Sequence, residues 1–79
     1  MNKHDLYVAV IKVADSQGLS NYHTEILCQC YKANVSEREC AALMKTSVQL
    51  VRMLYMRIAM KLACVQLEKT SASTLALHS

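Results

Sequence analysis

Cysteine and histidine are the side chains of this chain best suited to chemistry, at Cys28, Cys30, Cys40, Cys64 and at His4, His23, His78. Cys28 and Cys30 lie two residues apart in a helical pattern, so they project about 200° apart and do not easily share a metal. No Cys or His spacing matches a zinc motif. Four cysteines allow disulfides by count, but nothing in the chain points to secretion. The expectation is four reduced cysteines acting as small hydrophobes, with any redox activity left open. The histidines are scattered, and none has a second ligand at helical spacing. Gly18 stands alone, so no glycine-rich phosphate loop exists. Ser and Thr are plentiful but lack a His and Asp constellation. Glu25, Glu37 and Glu39 have ordinary helix-start or surface explanations. The chain reads as no enzyme, with no cofactor and no metal.

Composition then bounds the class. A chain of 79 residues is one domain at most, and many chains of this size need help from a partner. Hydrophobic residues make up 53%, which excludes a disordered tail. One Gly and no Pro argue against a turn-dense β fold and favour helices. Four Tyr are the only aromatics, so the core must be aliphatic, with Met and Cys. The net charge of +3 permits contact with nucleic acid without amounting to a strong basic footprint. No apolar run reaches the roughly 18 residues of a membrane span, and no signal peptide is evident. The expectation is a cytoplasmic protein with no membrane partner.

Periodicity and caps place the elements. Leu6, Val10 and Val13 repeat at helical spacing within Lys3–Gln17, and Gly18 ends that helix with Leu19 beyond it. The run Tyr7–Ile11 is also β-prone, so a strand is the alternative there. A second helix spans about Asn21–Ala33, capped by Ser20 or Asn21 and stopped at Asn34. Ser36-Glu37-Arg38-Glu39 is a capping box for a short third helix with Cys40, Leu43 and Met44 as its apolar face. Ser47 caps a long fourth helix, Val48 to about Lys69. The domain is 1–69, and 70–79 reads as a flexible tail. The predicted fold is all-α, four helices, the last one long.

A short helix, a three-residue turn and a longer helix give the helix-turn-helix outline, here at about 36–62. Leu19–Leu62 resembles, without a gap, the C-terminal DNA-binding region of sigma factors and the LuxR-type helix-turn-helix. The resemblance rests on Leu19, on Glu25-Ile26-Leu27, on Asn34-Val35-Ser36, on Glu39-Cys40-Ala41, on Ser47-Val48 and on Val51-Arg52. Arg57, Lys61 and Leu62 also fall where the family often has basic residues and a Leu. The family usually has Gly at the positions of Asn34 and Lys45; Asn tolerates positive φ, whereas Lys45 is strained if that conformation is kept.

On the recognition helix that the resemblance implies, Val51, Tyr55, Ile58, Leu62 and Val65 form a core stripe at about 100° per residue. Met53, Met56, Met60, Cys64 and Leu67 form a second stripe on roughly the opposite side. Arg57 and Lys61 flank it on one side and Arg52 on the other.

The first reading is a small transcription regulator on double-stranded DNA, as a dimer. Ser47, Gln49, Arg52, Arg57, Lys45 and Lys61 would lie on the DNA, and Met60, Cys64 and Leu67 in the dimer seam. Gln49 suits adenine, and Arg52 or Arg57 suits guanine or phosphate. The second reading keeps the fold but uses the Met stripe, Met53 to Leu67, to sequester or bridge another transcription protein. The third has the Met stripe as core, covered by the first helix or the tail. A homodimer or hetero-complex is expected, because the second stripe is more apolar surface than a monomer normally leaves open.

Overall fold

The computed structural model describes residues 3–78, and the side chains of 3–67. The order is α1 (Lys3–Ser16), α2 (Asn21–Lys32), α3 (Glu37–Met44) and α4 (Val48–His78), with no strand among the described residues. The expected all-α, four-helix fold with a long last helix is therefore what forms. Tyr7–Ile11 is helical, not a strand. Leu6, Ala9, Val10, Val13 and Ala14 are all buried along one face of α1, so packing at helical spacing overrides the local β preference.

Each helix hands over to the next by one local device. Helix α1 ends with Gly18 at φ 67°, where Leu19 N–H donates to the Ala14 carbonyl at 3.0 Å and Gly18 N–H to Asp15 at 3.1 Å. Helix α2 ends the same way at Asn34, φ 56°, with Val35 N–H on the Cys30 carbonyl at 2.9 Å. Helix α3 ends at Lys45, φ 55°, with Thr46 N–H on the Ala41 carbonyl at 2.9 Å. All three are Schellman closures, which satisfy carbonyls that a helix end otherwise leaves open. Two residues after each left-handed residue comes a serine cap: Ser20, Ser36 and Ser47. Their hydroxyls accept from His23 N–H at 3.2 Å, Glu39 N–H at 3.1 Å and Leu50 N–H at 3.1 Å. Only the Ser36 half of the expected capping box is made among the described residues.

The core is drawn from all four helices and contains no buried polar residue among those described. Leu27 and Cys30 of α2 join the α1 face, and Cys40, Ala41 and Met44 of α3 complete the core where α3 packs on α2 and α4. Helix α4 contributes Val51, Leu54, Ile58 and Leu62. Two details differ from the helical-wheel reading. Leu54 is fully buried although the core stripe omitted it, and Tyr55 and Val65 are half-buried. Helix α4 is packed against α1 and α3 together, so its buried arc is shifted toward Leu54. Leu43, expected on the apolar face of α3, is exposed, since Cys40, Ala41 and Met44 already fill the contact.

Helix α4 runs past Lys69 into the segment read as a tail, with no Gly or Pro to stop it. The side chains of 68–79 lie outside the described residues, and the tail expectation with them. No helix among the described residues is long and apolar enough to cross a membrane.

Candidate nucleic-acid interface

The turn Lys45-Thr46-Ser47 fixes where α4 begins. Thr46 N–H closes α3, and the Ser47 hydroxyl opens α4 one residue later. Burial of Val51, Leu54 and Ile58 then fixes the rotation of α4, which turns Gln49, Arg52, Met56, Arg57 and Met60 outward. Tyr55 pins this rotation. Its hydroxyl donates to the Val35 carbonyl at 2.9 Å, and its ring meets Tyr31 edge-on at 5.3 Å between centroids.

Gln49, Arg52, Met53, Met56, Arg57 and Met60 line one shallow depression of about 350 Å³. Residues expected to read DNA and residues expected to hold a protein thus share a single face. Lys45 lies apart, beside Leu19, His23 and Leu50. Lys61 and Cys64 line a larger groove of about 800 Å³ against the end of α1, and Arg57 and Met60 border both hollows. Met56, Met60 and Leu67 are 62%, 66% and 67% exposed, so α1 does not cover the stripe. Met53 is half-buried and Cys64 exposed.

The charged residues of α4's described stretch and of the turn before it have one sign. From Cys40 to Leu67 the chain carries Lys45, Arg52, Arg57 and Lys61, and no Asp or Glu. A carboxylate reaches this face from the start of α3, where Glu37 Oε2 accepts from Arg52 Nε at 2.8 Å. That contact takes Nε and leaves both terminal nitrogens of Arg52 for a further acceptor. In the sequence Glu37 has only a helix-start or surface explanation; fifteen residues separate it from Arg52, so no local spacing signals the pair.

The cysteines divide by position. Cys30 and Cys40 are buried, Cys28 is half-buried and Cys64 is exposed, and none is in a disulfide. Cys64 is exposed because its wheel position lies on the second apolar stripe of α4. Burial pushes the Cys30 thiol up to about 11, helped by the neighbouring Cys40. Burial also raises the Cys28 thiol, and the Tyr55 phenol well above its ordinary range. Each shift favours the neutral form, the opposite of what an attacking thiolate needs. His23 is half-buried, with Nδ1 2.9 Å from the Ser20 hydroxyl, a capping contact at the start of α2. No group of three or more His, Cys, Asp or Glu among the described residues is placed to hold a metal.

No protein-family model, no curated protein and no solved structure matches the chain.

Proposed function

We propose that the chain is a small transcription regulator that binds double-stranded DNA through a helix-turn-helix formed by α3, the Lys45–Ser47 turn and α4. The observation that carries this reading is the outward face of α4, where Gln49, Arg52 and Arg57 line one depression with no carboxylate among its lining residues, Glu37 reaching only Arg52 Nε from α3. Gln49 has the donor and acceptor pair that matches adenine, and Arg52 offers its two free terminal nitrogens to guanine or phosphate. Arg57, Lys61 and, from the turn, Lys45 would contact phosphates, which position the protein without specifying sequence. Ser47 stands at the helix N-terminus, where backbone N–H groups favour a phosphate oxygen. Dimerisation through Met60, Cys64 and Leu67 would present two such helices to a two-fold operator.

The test is selection of duplex DNA from a random pool at low salt, followed by gel shift of the winners. The reading predicts an enriched sequence whose preference changes in Gln49→Ala while overall affinity changes little. Failure to enrich any sequence, in a protein shown to be folded, would remove it.

A second reading is favoured by the exposure of Met56, Met60 and Leu67. The same helix pair would then hold another transcription protein on its Met-rich face, since flexible thioethers adapt to varied apolar partners.

A further inference from the structure

Between the last turns of α1 and the middle of α4 runs an open groove of about 800 Å³. Val13, Met60 and Cys64 give it apolar walls, and Lys12, Arg57 and Lys61 stand around it. Asp15 is the one carboxylate among the described residues that lines it. At Met60 the groove opens into the Met53–Met56 hollow, so an apolar strip with cationic edges continues along α4.

We propose that this groove docks an acidic amphipathic helix of a partner protein, its apolar stripe on Met60 and Cys64 and its carboxylates on Lys12, Arg57 and Lys61. The proposal rests on the second reading above, giving the partner a chemistry and a seat; it is compatible with DNA at the start of α4 but takes the place of the Met60–Cys64 dimer seam of the first reading.

Charge selects the occupant. A second copy laid along α4 brings Arg52, Arg57 and Lys61 against their own equivalents. From Cys40 to Leu67 it has no carboxylate to offer them. Like charges brought together across an interface select against that pairing. A helix carrying Glu or Asp beside its apolar stripe meets the cations and the methionines at once. DNA satisfies the cations but leaves Met60, 66% exposed, and Cys64 against a polar backbone.

The probe is a fluorescent synthetic helix with Leu at i, i+3, i+4 and i+7 and Glu on both flanks. Two controls accompany it: the same helix with Lys for Glu, and the same composition in scrambled order. Anisotropy titrations should give the Glu helix at least a tenfold tighter Kd than either control. Met60→Asp should lose at least tenfold, Met60→Leu should keep the affinity, and Lys12→Glu should weaken the Glu helix several-fold and favour the Lys helix. Met60 and Lys12 are exposed, and circular dichroism should find both variants folded. Equal binding of the three peptides, or indifference to Met60→Asp, would overturn the proposal. So would sedimentation showing a dimer that Met60→Asp dissociates, because the groove would then belong to a second copy. Loss of DNA binding in Lys12→Glu without preference for the Glu helix would assign the groove to DNA and also overturn it. Weaker DNA binding in Arg52→Ala with the peptide Kd unchanged separates the two surfaces and supports it.

Discussion

Arg52 Nε and Glu37 Oε2 lie 2.8 Å apart, joining the start of α3 to the second turn of α4 across fifteen residues of chain. Both side chains remain partly in water, Arg52 being 62% exposed, so the pair orients more than it stabilises. Glu37→Ala should therefore cost under about 1 kcal/mol in chemical denaturation. On DNA it should raise affinity at low salt, since a negative charge leaves the face, while lowering the ratio of preferred to random duplex. An unchanged ratio would mean that Glu37 does not aim Arg52.

Lys45 occupies the left-handed region at φ 55° and ψ 48°, a conformation that costs a side-chain-bearing residue about 1–2 kcal/mol. Lys45→Gly should stabilise the fold by about 0.5–1 kcal/mol, the relief being partly offset by the freer unfolded chain. Lys45→Val should destabilise it, because β-branching makes that region worse. Urea midpoints at unchanged slope are the measurement.

Tyr55 and Cys30 both have their ionisation raised by burial, the thiol from 9.0 to about 11 and the phenol upward from 10.0. In each case the unfolded chain loses its proton first. Their contribution to stability is therefore whole below pH 9 and falls as pH rises through the folded-state values. Tyr55→Phe removes the bond to the Val35 carbonyl, costs about 1 kcal/mol near neutral pH and flattens the fall of stability above pH 10. Denaturation midpoints from pH 7 to 11 for both proteins are the check; parallel curves would remove Tyr55 as a source.

Leu54 and Met56 are two residues apart on α4 and face opposite environments, one fully buried and the other 62% exposed. Leu54→Ala should cost about 2–5 kcal/mol, enough to unfold much of a domain this small. Met56→Ala should stay within about 0.5 kcal/mol. A large stability loss in Met56→Ala would mean that its side chain is covered in solution by another molecule or by the chain itself.

Local chemistry made the helices legible. Gly18, Asn34, Ser20, Ser36 and Ser47 announce ends and starts through their own backbone and hydroxyl preferences, and the helix bounds fall within a residue or two of those signals. Lys45 was the informative exception. Its identity argues against a left-handed turn, yet the closure onto Ala41 and Ala42 holds it there. Relations across the fold were not legible. The Arg52–Glu37 pair, the Tyr55–Val35 bond and the placement of Lys12 beside Arg57 and Lys61 depend on how α1, α3 and α4 pack, which no spacing encodes. The wheel located the exposed methionine stripe, because a second apolar arc remains when the first is used for the core. It missed Leu54 because a helix packed on two neighbours buries more than one narrow seam.

If the outward face of α4 binds duplex DNA, as proposed, the salt dependence of that binding reveals it. A plot of log K against log salt should be steep for the native chain, and shallower by about one unit each for Arg52→Ala and Arg57→Ala, as one phosphate contact is lost. Met56→Asp should weaken binding without a comparable change beyond its single added charge. No shift of any duplex at low salt, or identical slopes for the native chain and both arginine variants, would rule out DNA as the ligand of this face.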